Sequence, residues 1–183
     1  TTVLKDISFG PANFGFENPE EKARQTAELM GIPDLLDRSP FTLSGGQLRK
    51  VAISGILASD PDILILDEPT VGLDPNGKRE LLEILAKLRS ERDKTIIIIT
   101  HDMEVVSRYF DRVIVLKEGE IVFDGKKTDL LKKDDLYEKY SLDYPETIKI
   151  LRAIKERFGV DIDVNQHSVE DAYREIRKAF ARS

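Results

Sequence analysis

Two short runs of apolar residues, 63–66 and 95–100, stand out in the hydrophobic pattern of the chain. They alternate too little between apolar and polar positions for strands with one solvent-exposed face, and such runs are typical of parallel strands covered on both faces. Between them, from about residue 78 to residue 92, apolar residues recur at helical spacing, namely Leu81, Leu82, Leu85 and Leu88. The pattern therefore predicts a right-handed strand–helix–strand unit and an α/β fold.

Segments that are predicted to be helical also precede this unit. Residues 19–30 begin with Pro19, which suits a first helical position, and they stop at Gly31. A short helix is expected at residues 32–36, followed by a longer one at about 47–59. The longer helix shows an apolar stripe of Val51, Ile53, Ile56 and Leu57.

The second half of the chain predicts a hairpin and then helices. Residues 111–116 and 120–123 form the hairpin, and residues 132–135 are interpreted as a polar joint. Helices are expected near residues 144–158 and 168–182, with no internal repeat anywhere in the chain.

Composition narrows the class of protein. The chain has 183 residues, of which 34% are charged and 40% hydrophobic, which is typical of a globular protein. The net charge of −6 argues against nucleic acid as the main partner. No apolar run approaches the roughly 20 residues of a membrane span, and the absence of cysteine excludes disulfides. We therefore expect a cytosolic protein, one that can dock on a membrane protein.

The first candidate for chemistry is the run Leu-Ser-Gly-Gly-Gln at residues 43–47. Ser44 is a good N-cap, and Gly45 and Gly46 let backbone amides approach a ligand closely. Unpaired N–H groups and the helix dipole favour a phosphate at such a helix start. The simpler alternative is a capped helix with no ligand.

The second candidate is the end of the first apolar run, where Asp67 and Glu68 stand side by side before Pro69. Adjacent side chains of a strand point to opposite faces, so two carboxylates here suit two different tasks. Binding Mg²⁺ and activating a water molecule are such tasks. The alternative is a strand end that simply meets solvent.

Together with two later segments, these runs resemble the ordered motifs of the ATP-binding-cassette ATPases. Residues 43–47 match the signature loop and residues 63–69 match Walker B. Residues 71–75, Val-Gly-Leu-Asp-Pro, match the D-loop, and residues 95–102 match the strand that ends in the switch histidine, His101.

Residues 2–11, 47–58 and 101–104 resemble one branch of this family, the energy-coupling-factor transporter ATPases, which include cobalt and nickel importer subunits. The resemblance implies a partial P-loop NTPase (RecA-like) core with a helical subdomain and a small helical C-terminal extension. The corresponding domains are a helical signature subdomain at 1–60, the C-terminal part of the ATPase core at 61–134, and a dimerising extension at 135–183. The alternative for the extension is that it packs on its own chain.

The resemblance also implies roles for individual residues. The signature residues would act in trans, on the γ-phosphate of ATP held by a partner subunit. These residues are Ser44, Gly45, Gly46 and Gln47. Asp74 of the D-loop would lie across the dimer seam, although residues 75–76 also suit a turn before the next helix.

The catalytic roles fall on three other residues. Asp67 would hold Mg²⁺ through water, and Glu68 would polarise the attacking water. His101 would contact the γ-phosphate, although a lone histidine is more often structural. Asp102 is an expected N-cap, and His167 is expected to be solvated and without a role.

A usable Walker A loop is missing from the sequence. The closest segment, residues 72–79, has Arg79 in place of the metal-binding hydroxyl, and Pro75 lacks one amide of the cradle. In the family, Walker A precedes a segment like the start of this chain. We therefore expect the chain to be the C-terminal majority of a longer subunit and to be inactive alone.

The leading functional hypothesis is the ATPase subunit of an energy-coupling-factor importer, with ATP and Mg²⁺ as cofactors. Its partners would be a second ATPase chain, identical or different, and transmembrane scaffold and substrate-capture subunits at the cytoplasmic face of the membrane. The cargo, cobalt, nickel or a vitamin, stays open. Two alternatives remain, a soluble cassette ATPase without transport activity and a non-catalytic fragment that binds a partner.

Overall fold

The chain divides into two units, residues 1–99 and residues 100–183. The computed structural model describes residues 1–92, 94–131 and 134–181. The three-part division into signature subdomain, core and extension stays a prediction.

Three helices open the first unit: α1 (Val3–Asn13), α2 (Pro19–Leu29) and α3 (Gly45–Leu57). Two 3₁₀ turns, Pro33–Leu35 and Pro40–Thr42, join α2 to α3. The helices bury one apolar cluster, which includes Val3, Ile7, Ala23, Ala27, Met30 and Val51. The predicted α2, short helix and α3 are confirmed, whereas α1 was not predicted.

The apolar stripe predicted for α3 is partly wrong. Val51 and Ile53 are buried, but Ile56 is 49% exposed. Ser54 and Ala58 are buried instead, because they lie one and two turns beyond Val51 on the same helix face.

The strand–helix–strand unit is present as predicted. β1 (Ile63–Asp67) and β2 (Thr95–Ile99) pair in parallel, with Ile63 opposite Thr95 and Asp67 opposite Ile99. Between them runs α4 (Pro75–Arg92), which buries all four predicted leucines.

Only one face of this sheet is covered in the described chain, although apolar runs of this kind are typical of sheets covered on both faces. Leu64 and Leu66 are buried in the cluster of the first unit. The opposite face is open, because the helices of this unit pack on one side only. Its exposed side chains are Ile63, Ile65, Ile97 and Ile99, each between 46% and 60% accessible.

The second unit begins with α5 (Met103–Tyr109) and the predicted hairpin. β3 (Arg112–Lys117) pairs antiparallel with β4 (Glu120–Lys126), and Glu118 and Gly119 adopt left-handed backbone angles at the turn. α6 (Lys127–Leu131) and α7 (Asp134–Tyr140) follow. They share a cluster that buries Met103, Val106, Val115, Leu130, Leu131, Leu136 and Tyr137.

The tail contains the two predicted helices, α8 (Glu146–Phe158) and α9 (Val169–Ala181). Gly159 ends α8 with a left-handed φ of 62°, which glycine adopts without steric cost. The cluster between the helices is small and buries Leu151, Ile162, Ala172 and Ala179. Of the polar joint predicted at residues 132–135, Lys132 and Lys133 lie outside the described residues.

Across the described ranges, no helix combines the length and the apolar composition that crossing a bilayer requires.

Candidate nucleotide site

The start of α3 is held by a reciprocal pair of hydrogen bonds. The Gln47 N–H donates to Ser44 Oγ at 3.3 Å, and the Ser44 N–H donates to Gln47 Oε1 at 3.1 Å. This capping box satisfies the N-cap amide and the third helical amide. Among the described hydrogen bonds, none uses the N–H of Gly45 or Gly46. Two adjacent amides at the positive end of a 13-residue helix are therefore available to an anion.

The start of α4 is capped as well. Asp74 Oδ1 accepts a hydrogen bond of 2.8 Å from the Gly77 N–H. A Cβ at Gly77 would lie only 2.8 Å from that same oxygen, so a larger residue at position 77 would require the Asp74 side chain to shift. Asp74 thus caps the start of α4. Pro75 and Asn76 are the first residues of this helix, so the turn expected at residues 75–76 lies instead at residues 71–72. Its role at a dimer seam stays a prediction.

Both helix starts line one cavity of about 570 Å³. It includes all four signature residues and Asp74, which is five of the eight predicted site residues. The two loops also meet directly, because a Cβ at Gly46 would lie 3.3 Å from Leu73 Cδ2. Glycine at position 46 therefore allows the signature loop to approach the loop before α4.

Asp67 and Glu68 lie in the same unit but outside the lining of this cavity. Asp67 is the last residue of β1 and is exposed. The Glu68 N–H donates to the Ile99 carbonyl at 2.9 Å, and its φ is +44°. A non-glycine residue with a left-handed backbone is uncommon and is enriched at functional positions.

His101 belongs to the second unit and lies in the short loop that connects β2 to α5. It is exposed and directly precedes Asp102. Asp102 Oδ1 accepts from the N–H groups of Glu104 and Val105 at 3.0 and 3.2 Å, so the predicted N-cap is confirmed. The cap fixes the backbone on the C-terminal side of His101.

The expectation that His167 is solvated is wrong. Both ring nitrogens are shielded from solvent, and the residue lines a cavity of about 350 Å³ with Glu104 and Lys127. The polar sequence around it suggested exposure, but local polarity does not show which segments pack against a side chain.

Two residues of the larger cavity were missed by the sequence analysis. Lys50 and Glu80 both line it, and Lys50 Nζ lies 3.0 Å from Glu80 Oε2. The sequence contains no signal for this contact, because the two residues are 30 positions apart.

The arrangement fits a nucleotide and Mg²⁺ in two respects. The paired glycine amides suit phosphate oxygens, and the exposed Asp67 carboxylate at a strand end suits a hard cation that keeps several of its waters.

Comparisons with known proteins agree with this chemistry. A family model described as "AAA domain, putative AbiEii toxin, Type IV TA system" matches residues 8–107. The energy-coupling factor transporter ATP-binding protein EcfA2 of Bacillus subtilis is 48% identical over 182 residues, 98% of this chain. The chain spans 66% of the length of that relative.

Two solved structures show the same fold. The structure of cbiO1 from Clostridium perfringens, part of the ABC transporter complex cbiONQ, superposes with a TM-score of 0.63 at 34% identity. The match covers 87% of this chain and 59% of that one. A dimeric bacterial ABC transporter cassette superposes with a TM-score of 0.62 at 32% identity. The match covers 69% of this chain and 56% of the cassette's chain.

The predicted α/β cassette fold is therefore confirmed. The chain belongs to the AAA-domain family of this model, and it is similar to energy-coupling factor ATP-binding proteins in sequence and to ATP-binding-cassette proteins in fold.

Proposed function

We propose that this chain is the signature-bearing part of an ATP-hydrolysing subunit that drives an energy-coupling-factor importer. The observation that carries the proposal is the shared cavity, in which two free glycine amides at the start of α3 lie beside the capped start of α4. A cavity built from two positive helix ends suits the terminal phosphates of a nucleotide.

The signature residues act on ATP that a second subunit holds. Gly45 and Gly46 donate their amides to the γ-phosphate, and the capping box keeps Ser44 and Gln47 in place around it. Asp74 lies at the seam between the two subunits. Hydrolysis therefore requires a dimer, and the dimeric cassette among the fold neighbours supports this requirement.

The remaining roles concern the water and the metal. Glu68 polarises and orients the attacking water, and Asp67 holds Mg²⁺ through coordinated water. When bound, Mg²⁺ neutralises charge on the transferred phosphoryl group. His101, fixed by the Asp102 cap, senses the γ-phosphate. The left-handed backbone of Glu68 supports its assignment, because such strain is retained where position matters more than stability.

The proposed partners are a second ATPase chain, a transmembrane scaffold and a substrate-capture subunit. The names of the relatives support this assembly, since one is an energy-coupling factor transporter protein and another is part of a transporter complex. The subunit works at the cytoplasmic face of the membrane without crossing it, and the cargo is a metal ion or a vitamin.

The test is Glu68→Gln in the full-length subunit assembled with its partner chains. The amide keeps the shape of the side chain but cannot act as a carboxylate toward water. We expect ATP turnover to fall by about 100-fold or more, while binding of a fluorescent ATP analogue is unchanged.

The control is Glu83→Gln, which removes an exposed carboxylate that lies 4.0 Å from Arg79 on α4. It should leave turnover within about twofold of the wild type. Turnover of Glu68→Gln within the same range would overturn the assignment of Glu68.

A further inference from the structure

Two helices begin at the cavity in the same manner. In each, a side chain caps the N–H three residues further along, Ser44 in α3 and Asp74 in α4. One helical turn beyond each capped amide lies a charged residue, Lys50 in α3 and Glu80 in α4, and these two residues have opposite charges.

These two residues form an ion pair between the helices. Lys50 Nζ lies 3.0 Å from Glu80 Oε2, although the residues are 30 positions apart in sequence. The Lys50 side chain is only 16% exposed, whereas that of Glu80 is 54% exposed. Because the ammonium is largely removed from water, solvent and salt screen the pair less than they screen an ordinary surface pair.

A second contact lies nearer the helix ends. Gly46 approaches Leu73 so closely that a methyl group at position 46 would lie 3.3 Å from Leu73 Cδ2. The helix starts are thus joined at two points along the helices. A single contact would let one helix rotate about it, whereas two contacts restrict that rotation.

We infer that Lys50 and Glu80 are a positioning pair that keeps the signature loop and the D-loop of one subunit in fixed register. The inference rests on the proposed function, in which both loops face the partner subunit. When the two loops of a subunit move together, both contact the nucleotide of the partner subunit at the same time. The ion pair therefore favours formation of the closed dimer that hydrolyses ATP. Lys50 itself does not touch the nucleotide.

The experiment uses the full-length subunit in its assembled complex. Lys50→Ala should lower kcat for ATP about five- to tenfold, the range expected when a half-buried charge pair that positions a site is lost. The KM for ATP should stay within about twofold, because binding to the partner's own nucleotide-holding loop is untouched.

Charge reversal separates positioning from a merely structural role. Lys50→Glu and Glu80→Lys should each lower kcat, and the double variant should restore most of it, because the pair is rebuilt with its signs exchanged. Lys50→Arg, which keeps the charge and the reach, should retain turnover. Thermal midpoints of all variants identify any that lose activity by unfolding.

The matched control is Glu83→Lys, which reverses the same charge on the same helix in an exposed i,i+4 pair with Arg79. The inference is overturned if Glu80→Lys lowers kcat no more than this control does, or if the double variant stays as slow as the single ones. A raised KM with unchanged kcat would also overturn it, because Lys50 would then bind the nucleotide directly.

The outcomes distinguish this inference from the proposed function. If Glu68→Gln retains turnover, the assignment of catalysis to this chain fails. If Glu68→Gln abolishes turnover while Lys50→Ala behaves like the control, only the positioning pair fails.

Discussion

At the residue scale, the chemistry of the site was predictable because it depends on local sequence. The capping box of Ser44 and Gln47 and the cap by Asp102 are contacts within a few residues, and sequence spacing predicts such contacts directly. The Lys50–Glu80 pair and the burial of His167 depend on which segments meet in three dimensions. That information is not present in a local pattern.

The capping box predicts a measurable contribution to stability. Ser44→Ala removes the acceptor for the Gln47 N–H, and we expect a loss of about 1 kcal/mol in the free energy of unfolding. Ser39→Ala is a suitable control, because Ser39 precedes the turn Pro40–Thr42 without a side-chain cap hydrogen bond. Denaturant titration of both variants measures the difference, and equal losses would contradict the role of the cap.

At the element scale, the strands, the hairpin and most helices followed from periodicity and turn residues. Helix α1 did not, because Gly10 and Pro11 near its end are weak helix formers. Tertiary packing overrides them, because α1 packs against α3 in the apolar cluster of the first unit. Glycine eases this approach, since a Cβ at position 10 would lie 3.3 Å from the Gly55 carbonyl oxygen of α3. Which face of the β1–β2 sheet is open also depends on tertiary packing, since an apolar run does not show which of its faces the chain covers.

The hairpin carries a cross-strand ion pair with a predictable titration. The Arg112 guanidinium donates to both Asp124 carboxylate oxygens at 2.8 Å and lowers the pKa of Asp124 below its ordinary value of 3.8. The pair therefore stabilises the hairpin at neutral pH, and this contribution is lost as the pH falls through the lowered pKa. We expect NMR titration of the Asp124 carboxyl to show the lowered pKa in the wild type.

The variant Arg112→Gln should return the pKa of Asp124 towards its ordinary value. Lys117→Gln on the same strand is the control, because Lys117 donates to the Lys139 carbonyl instead. An Asp124 pKa that is the same in all three proteins would show that Arg112 does not hold the carboxylate in solution.

At the scale of the whole molecule, the tail helices leave apolar side chains exposed. Ile150, Phe158, Val169 and Tyr173 are each more than half exposed, while the cluster between α8 and α9 is small. We expect this surface to contact a second ATPase subunit. Deleting residues 135–183 from the full-length subunit should weaken nucleotide-free dimerisation by about tenfold or more, while ATP binding is spared.

Analytical sedimentation of the truncated subunit without nucleotide measures the dissociation constant of the dimer. Tyr173→Asp provides a milder variant that keeps the tail and its buried Leu151, and it should weaken the dimer in the same direction. An unchanged dimer constant in both variants would show that the tail serves only its own chain.

The open sheet face has a consequence for the behaviour of the purified protein. Four isoleucines that alternate along two neighbouring strands form one continuous exposed apolar strip. Such strips associate more strongly where salts such as sulfate are excluded from protein surfaces. The solubility of the chain therefore depends on the kind of salt as well as on its ionic strength, and a buffer chosen only to screen the net charge leaves this attraction in place.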